Sequence, residues 1–348
     1  MRYCASIGFL LFSAAGCVSE PAFAGPLPVR NQHPAQLTVL HLPPATTRVQ
    51  PAGELQVRTD AAYSSLWLLG QSATTNGTWR MDGEILRVAT SLRAGLGSGL
   101  ELGLELPVAH TSGGFLDAFL IDYHENLGLP DQARDSNPRN EFEVAARRDG
   151  NVVWSVERDR LEWLDVPLWL TWQLREPGDG RLGLAMRGGL ELPTGDDERG
   201  YGSGTVEPGL GVLGELPIGG VDFTAHVQHS WAGTPAPAKR GGLEFADVTS
   251  LGCGCELPLT AALHALVQVE WETSTLRRLG VPAAAREQFL LWVGGRYELA
   301  DGFGIEVGFG EDLQGLASPD FTAWLGMVWN PAGRRRGSRD AAPPPSYP

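Results

Sequence analysis

The chain has 348 residues, a formal net charge of −14, and 45 glycines with 25 prolines. The acidic balance argues against a nucleic-acid partner, because binding a phosphate backbone requires a basic surface. The glycines and prolines are too many for a helical protein, and the glycines do not follow a collagen period.

The first 24 residues are typical of an export signal. Arg2 precedes the apolar stretch IGFLLFSAAG, which is too short to span a bilayer, and AFAG at 22–25 fits the small-x-small cleavage rule. We therefore predict a signal peptide at 1–24 and a mature start at Gly25. AAGC, which ends at Cys17, resembles a bacterial lipobox except that Ala14 stands where leucine is usual, so a lipid-anchored start stays open.

Residues 25–52 lie between the signal and the first patterned strand. We predict that they form an N-terminal periplasmic or plug segment. Arg30, Asn31 and His33 are interpreted as anchors of a segment tucked into a barrel, with ligand binding as the alternative.

From residue 53 onward the apolar residues recur with a period of two, which is typical of strands. In GLELGLELPV, Leu100, Leu102 and Leu104 share one face, whereas Glu101 and Glu105 share the other. Twelve segments show this pattern, at about 53–66, 84–96, 99–110, 161–175, 181–193, 206–216, 220–231, 246–257, 260–272, 287–299, 303–312 and 320–330.

Short and long connections alternate between these segments, as in a bacterial transmembrane barrel with brief periplasmic turns and longer external loops. Aromatic residues near segment ends (Trp231, Trp271, Tyr297 and Trp329) fit an interfacial girdle. We predict an all-β fold, an antiparallel transmembrane barrel of about 12 strands over 53–330 in the bacterial outer membrane. A soluble β-sandwich is the weaker alternative.

The strand parity also assigns a lumen, with twelve acidic and six arginine positions facing inward. One interpretation is that these charges pair across strands in a narrow, plugged interior. The other is a cation-preferring passage. The lumen-lining candidates are Arg58, Arg87, Arg93, Glu101, Glu105, Asp165, Arg187, Glu191, Asp222, His226, His264, Glu270, Arg296 and Glu306.

The triplet ELP recurs at 105–107, 191–193, 215–217 and 256–258. Its glutamate falls on the lumen face and its leucine on the lipid face. We predict that its proline ends the hydrogen-bond ladder where each strand leaves the membrane.

The longest connection, 111–160, carries an insert. Apolar residues at helical spacing from Leu116 to Leu127 predict an amphipathic helix that ends at Gly128 and Pro130. Asp149-Gly150 predicts the turn of a following hairpin. We expect this helix-plus-hairpin insert to cap or plug one mouth of the barrel.

Here the chain resembles the DUF3187 family of uncharacterised bacterial proteins. The resemblance rests on PLPVRNQHP (26–34), on GGFLDAFLIDYHENLGLPDQARDSNPRN (113–140) and on LDVPLWLTWQL (164–174). Within the central motif, Asp117, His124, Gly128 and Arg134 stand at the matching places. The resemblance implies an outer-membrane barrel but no activity. ELPTGDDERGYGSG (191–204) also resembles loops of the porin-like MetA-type proteins of phenol degradation.

The candidate functions are a porin-like channel for small solutes, a closed structural barrel, and an outer-membrane lipid hydrolase using His110 and Ser112. The hydrolase rests on a single His-x-Ser spacing, with Asp122 farther on, so we predict a protein that is not an enzyme. We predict no metal or cofactor; Cys253 and Cys255 lack metal-ligand partners at zinc spacing. Expected partners are outer-membrane lipid, a small solute and the barrel-insertion machinery. Residues 331–348 are predicted to be a disordered tail.

Overall fold

The computed structural model describes residues 24–127, 134–300, 302–313 and 318–331. The predicted signal peptide up to residue 23, Gly128 and Pro130 of the insert, and the predicted tail from 332 lie outside the described residues. No helix within these ranges is both long and apolar enough to cross a bilayer.

Fifteen strands form one antiparallel sheet, and twelve of them close into a barrel. The barrel strands are β1 (Leu55–Gln71), β2 (Gly77–Gly97), β3 (Leu100–Ser112), β7 (Val166–Arg175), β8 (Gly183–Leu192), β9 (Glu207–Ile218), β10 (Val221–Ser230), β11 (Val248–Pro258), β12 (Leu263–Glu272), β13 (Gln288–Ala300), β14 (Phe303–Asp312) and β15 (Phe321–Trp329). The predicted fold class is confirmed.

Closure comes from the pairing of the first and last strands. Residues 57–65 of β1 pair with 321–329 of β15, and β3 pairs with both β2 and β7. Every wall strand therefore has two neighbours, which satisfies the backbone groups that lipid cannot hydrogen-bond. The short connections mark the periplasmic end of the barrel. One of them, Gly219-Gly220, adopts positive φ at both residues, as a tight two-residue hairpin turn requires.

The remaining strands extend the wall above the membrane at the opposite, extracellular end. The hairpin of β4 (Glu143–Arg148) and β5 (Asn151–Val156) pairs with the upper part of β2, and β6 (Leu161–Trp163) pairs with the upper part of β3. The predicted turn of the β4–β5 hairpin is present, with φ of 48° at Asp149 and 79° at Gly150. The helices are α1 (Asp117–Leu127), α2 (Ala236–Arg240) and α3 (Pro282–Ala285), and four 3-10 turns lie at Gln36–Thr38, Arg134–Ser136, Asp197–Arg199 and Thr275–Arg278.

Some strand boundaries differ from the predictions. The predicted loop 67–83 is largely strand, because β1 and β2 continue toward the extracellular end. Their apolar side chains there pack in a buried cluster. The predicted segment 161–175 is divided between β6 and β7. Pro107 does not end β3; it lies where β3 changes its partner from β7 to β6 and accepts a hydrogen bond from Leu164 N–H (3.1 Å).

A large apolar cluster closes the extracellular end of the barrel, and we call it the extracellular cap. Trp154 of the β4–β5 hairpin stacks near Trp79 (ring centroids 6.1 Å apart) and meets Phe245 edge-on (5.6 Å). Leu276 and Val281 from the loop before β13 are buried in the same cluster. The hairpin part of the insert therefore does cap this mouth.

The helical part of the insert lies elsewhere. Phe119 of α1 contacts Phe321 edge-on (6.3 Å), and Phe115 stacks on Tyr63 (5.6 Å). Phe321 and Tyr63 belong to the outward-facing residues of β15 and β1, because their neighbours Thr322 and Ser64 face the lumen and share a hydrogen bond (2.8 Å). The helix packs against the outer wall, which differs from the expectation that the whole insert would cap or plug the mouth.

Candidate functional site: the barrel lumen

Residues 24–50 fill the lumen, and we call them the plug segment. The segment begins at the periplasmic end, where Gly25 N–H donates to Glu256 (2.6 Å). It rises to a tip at the 3-10 turn Gln36–Thr38 beneath the extracellular cap, and Ala35 and Leu37 join the cap. It then descends to the periplasmic end, where Gln50 N–H donates to Glu101 (2.9 Å).

The plug segment forms no strand and pairs with none of the described barrel strands. Its backbone donors are instead satisfied by lumen side chains. The N–H groups of Leu27, Leu40, Leu42 and Thr47 donate respectively to Gln268 (2.9 Å), Glu207 (2.9 Å), Gln228 (3.1 Å) and Glu215 (3.0 Å). A buried N–H without an acceptor is costly, so these wall carboxylates and amides are what hold an extended chain inside the barrel.

The tip is anchored by side chains of the plug segment itself. The Asn31 amide donates to Glu272 (2.7 Å) and to Gln288, and Gln36 Nε2 also donates to Glu272 (2.8 Å). Arg30 closes the tip internally by donating to the backbone oxygens of Gln36 (2.7 Å) and Val39 (3.1 Å). Burial lowers the pKa of His33, whose ring lies 5.4 Å from that of Trp79, so this imidazole stays neutral.

Inward glycines make room for the leucines of the plug segment. A Cβ at Gly308 would lie 3.0 Å from Leu27 Cδ1. A Cβ at Gly209 would lie 2.7 Å from Leu40, and one at Gly189 would lie 2.6 Å from Leu42. These separations are shorter than van der Waals contact, so each leucine occupies a socket that only glycine leaves open.

Most of the predicted lumen charges lie in two ion-pair networks. In one, Arg296 bridges Glu256 and Glu306 (2.7 Å to each), Arg58 joins Glu306, and His264 lies 2.9 Å from Glu256. Arg296 also donates to the backbone oxygen of Gly25 (2.9 Å). This network therefore connects five wall strands (β1 and β11 to β14) to the start of the plug segment.

The second network lies on the opposite side of the first strand. Arg87 pairs with Glu105 and with Asp60 (3.5 Å). Arg93 pairs with Glu101 (2.7 Å), which in turn holds Gln50. Separately, His226 lies 3.1 Å from Glu270.

The other predicted lumen residues occupy different settings. Asp165 accepts from the N–H groups of Gly195 (2.8 Å) and Ser203 (2.7 Å), so it organises the β8–β9 loop. Glu191 is buried, and Asp222 is half-buried near the periplasmic rim. Arg175 is one of the six arginines that the strand pattern predicts to face inward. It is exposed, because a bulge between Gln173 and Arg175 shifts the register at the end of β7.

Arg187 differs from the other arginines that line the bore. No carboxylate lies within ion-pairing distance of it among the residues that the structure describes. It donates instead to Thr171 Oγ1 (3.1 Å) and to the backbone oxygen of Pro43 (2.7 Å), and it lies over the Trp169 ring (5.9 Å).

The insert motif places two of its residues in a clamp on the outer wall. Arg134, which is 2% exposed, pairs with Asp117 (2.8 Å) and with Asp320 of the loop before β15 (2.7 Å). It also donates to Ser65 Oγ (3.0 Å) and lies over Trp67 (5.4 Å). His124 lies on α1, but its side chain is outside the described part of the structure.

A second polar contact holds the start of α1 to the wall. The outward-facing carboxylate of Glu84 accepts from the N–H groups of Phe115 (2.8 Å) and Leu116 (2.5 Å) and from the Tyr63 hydroxyl. The insert thus shields one buried acid of the lipid-facing wall.

The proposed hydrolase pair lies away from the lumen. On β3 the inward residues are Glu105, Ala109 and Thr111, so His110 and Ser112 face outward. In the sheet register His110 lies opposite Leu161 and Leu86, and Ser112 lies opposite Glu84. Asp122 is exposed on α1.

With the plug segment in place, little space remains in the bore. A cavity of about 10 Å³ borders Arg30 and His41, and another of about 40 Å³ lies between the two arms of the plug segment near Arg187. Neither cavity is a continuous passage, and within the described residues the plug segment occupies the bore.

The closed twelve-strand wall, its lipid-facing leucines and its polar lumen define an outer-membrane β-barrel. The fold is similar to the crystal structure of the COG4313 outer membrane channel from Pseudomonas putida F1, with a TM-score of 0.51 and 11% identity over 83% of this chain and 100% of that chain. Residues 12–330 match the model of the family described as "Protein of unknown function (DUF3187)". The chain belongs to the DUF3187 family.

More distant similarities also involve barrels. The translocator domain of autotransporter NalP from Neisseria meningitidis gives a TM-score of 0.42 and 10% identity over 80% of this chain and 89% of that chain. The NanC porin gives a TM-score of 0.43 and 7% identity over 79% and 98%. A search of curated proteins finds no match.

Sequence reasoning did not identify several residues that define this site. It treated Glu207 and Glu215 as general lumen acids, and it did not single out Gln228, Gln268 or Glu272 as acceptors for the plug segment. A usable signal was present, because several inward positions of the strands hold glycine, as at Gly189, Gly209 and Gly308, and such positions leave space inside a barrel.

Proposed function

We propose that this protein is a porin-like channel for small solutes that is gated by its own plug segment. The observation that carries the proposal is the way the bore is closed. The wall forms a complete barrel through its own ladder, whereas the plug segment contributes no strand and is held by side-chain hydrogen bonds and leucine sockets. The plug segment can therefore leave the bore without breaking any backbone hydrogen bond between the wall strands.

The lumen wall supports the same proposal. Its carboxylates and arginines form ion pairs on the wall strands, as in Arg87 with Glu105 and Arg93 with Glu101. A bore emptied of the plug segment would be lined by these groups and would hold water. Small polar solutes would then cross by diffusion, as in other polar-lined pores.

A reversible lock tests the proposal. Because a Cβ at Gly189 would lie 2.6 Å from Leu42 Cδ2, the two positions face each other, and we expect cysteines there to form a disulfide on oxidation. Leu42→Cys/Gly189→Cys is made in a background with Cys253→Ala and Cys255→Ala, which removes the free cysteines of the described chain. In planar bilayers, the oxidised variant should be silent and the reduced variant should conduct like the unmodified protein.

The matched control is Leu42→Cys/Gly188→Cys. Gly188 lies next to Gly189 but on the outward face, so this pair does not bridge and its conductance should not respond to oxidation. Conductance that persists in the oxidised lock would show that the plug segment is not the gate.

A closed structural barrel is the second candidate, favoured by the extracellular cap in which Trp79, Trp154 and Leu276 are buried. It predicts no conductance in the reduced lock or in variants with a weakened plug segment. We also propose that the protein is not an enzyme. No hydrogen bond joins His110 to Ser112 or to the exposed Asp122 among the described residues, which supports this. Lipid cleavage that Ser112→Ala abolishes would overturn it.

A further inference from the structure

The cavity near Arg187 lies at the periplasmic end of the bore, between the ascending and descending arms of the plug segment. Its volume is about 40 Å³, which exceeds the space that one water requires. Three guanidinium groups of the wall border it, from Arg58, Arg93 and Arg187. The side chains of Arg58 and Arg93 are 12% and 19% exposed, so part of each guanidinium-bearing side chain is free of protein contact.

The charges around the cavity do not balance. Arg58 pairs with Glu306, which also pairs with Arg296, and Arg296 is balanced by Glu256. Arg93 pairs with Glu101. Arg187 alone has no carboxylate partner among the described residues, so the group of side chains carries one uncompensated positive charge.

Arg187 also has an unused donor. Its Nε donates to Thr171 Oγ1 and its Nη1 to the Pro43 oxygen, whereas its Nη2 has no hydrogen-bond partner among the described residues. The Arg187 side chain is 3% exposed, and a buried cation without an anion is costly. These contacts fix the plane of the guanidinium and leave its remaining edge free for an acceptor.

The walls of the cavity indicate what kind of anion fits. Rings of Pro26, Pro28, Pro43 and Pro44 and the indole of Trp169 supply apolar surface, and Ser91 and Thr46 supply hydroxyl groups. A planar carboxylate matches a guanidinium fork, and a short apolar tail matches the proline rings.

We propose that this cavity binds the carboxylate of a small organic acid, with Arg187 as the principal anchor and Arg93 and Arg58 alongside. The ligand would lie between the two arms of the plug segment and the strands β1, β2, β7 and β8. Binding at this site does not require that the barrel conduct, so it goes beyond the proposed channel function.

The test uses the full-length protein in detergent and a chloride-free sulfate buffer. Trifluoroacetate is the probe, and its ¹⁹F NMR line width reports binding, with acetate and chloride as competitors. We expect saturable broadening that acetate reverses. Arg187→Gln should weaken binding at least tenfold, because it removes a charge-assisted donor pair. Arg187→Lys keeps the positive charge but lacks the planar guanidinium, so its affinity should lie between those of the unmodified protein and Arg187→Gln.

Arg278→Gln is the matched control, since this exposed arginine pairs with Glu244 on the extracellular side. It should bind like the unmodified protein. Binding by Arg187→Gln as tight as by the unmodified protein would overturn the proposal. Competition by chloride as strong as by acetate would also overturn it and would indicate a halide site instead of a carboxylate site. If the Arg187 variants do not fold, crystals of the unmodified protein grown with acetate decide the question. Planar density against Arg187 supports the site, and its absence overturns it.

Discussion

The carboxylate of Glu215 accepts two hydrogen bonds from Thr47, one from the backbone N–H (3.0 Å) and one from the hydroxyl (3.1 Å). The same carboxylate lies 3.1 Å from the Arg48 guanidinium. One wall residue thus fixes the descending arm of the plug segment at the periplasmic end.

Glu215→Ala should weaken the docking of the plug segment. It leaves the Thr47 N–H without its acceptor, which costs about 1–3 kcal/mol, or a factor of roughly 5 to 150 in the docking equilibrium. Single-channel recording should show a higher open fraction, and trypsin should cleave faster after Arg48. Glu244→Ala, at an exposed extracellular ion pair, serves as the control. An unchanged open fraction and cleavage rate in Glu215→Ala would contradict the role of this contact.

Gly189→Val should push Leu42 out of its socket. The added Cβ would lie 2.6 Å from Leu42 Cδ2, and overpacking of this kind costs about 1–3 kcal/mol. Gly188→Val is the matched control, because a Cβ at Gly188 meets only Leu210 Cδ2 at 3.5 Å on the outer face. We expect proteolysis of the plug segment to accelerate in Gly189→Val only. Equal acceleration in both variants would indicate a general effect on the wall.

Acid should loosen the plug segment. Burial lowers the pKa of both His33 and His41, so the docked segment excludes a proton that a free segment accepts. The contribution of neutral histidine to docking is therefore complete above the free pKa of about 6.5 and is lost as the pH falls below it. The open fraction should rise on acidification from pH 7 to pH 5.

The double variant His33→Gln/His41→Gln should lose most of this dependence. Arg30 is a neighbouring plug-segment cation that holds the His41 pKa down, and it keeps its charge across this range. A pH response of full size in the double variant would contradict the assignment of the effect to these two histidines.

Arg134→Met should detach α1 from the outer wall. Asp117 and Asp320 would lose their cation while remaining covered, and breaking a buried ion pair on one side costs about 3–5 kcal/mol. A lower temperature for the loss of the folded band in heat-modifiability gels is the expected result. Arg240→Met, at the exposed pair with Glu198, should leave that temperature unchanged.

The periodicity of the sequence predicted the wall of this barrel with good accuracy. The alternation in GLELGLELPV and its relatives indicates strands with two faces, and the alternating lengths of the connections favour a membrane barrel over a soluble β-sandwich. The same parity predicted that Glu101, Arg187, Arg296 and Glu306 face inward, and all four are buried in the structure.

Parity could not predict the partners of those inward residues. Whether Glu215 faces water, an arginine or Thr47 depends on chain segments that are distant in sequence, and 168 residues separate Glu215 from Thr47. The position of α1 likewise depends on residues that are distant in sequence, so the prediction that the whole insert caps the mouth was wrong for this helix. The sequence of α1 indicates an amphipathic helix, but Arg134, Asp117 and Asp320 decide that it lies on the outer wall.

The sequence by itself therefore determined a barrel of about twelve strands, the alternation of two faces along its strands and a family. Only the tertiary structure decided that residues 24–50 occupy the bore, that glycines such as Gly189 and Gly308 form sockets for their leucines, and that Arg187 has no carboxylate partner among the described residues. The physical reason is that periodicity is a local property of the backbone, whereas closure of a bore depends on contacts between segments that meet only after the sheet has closed.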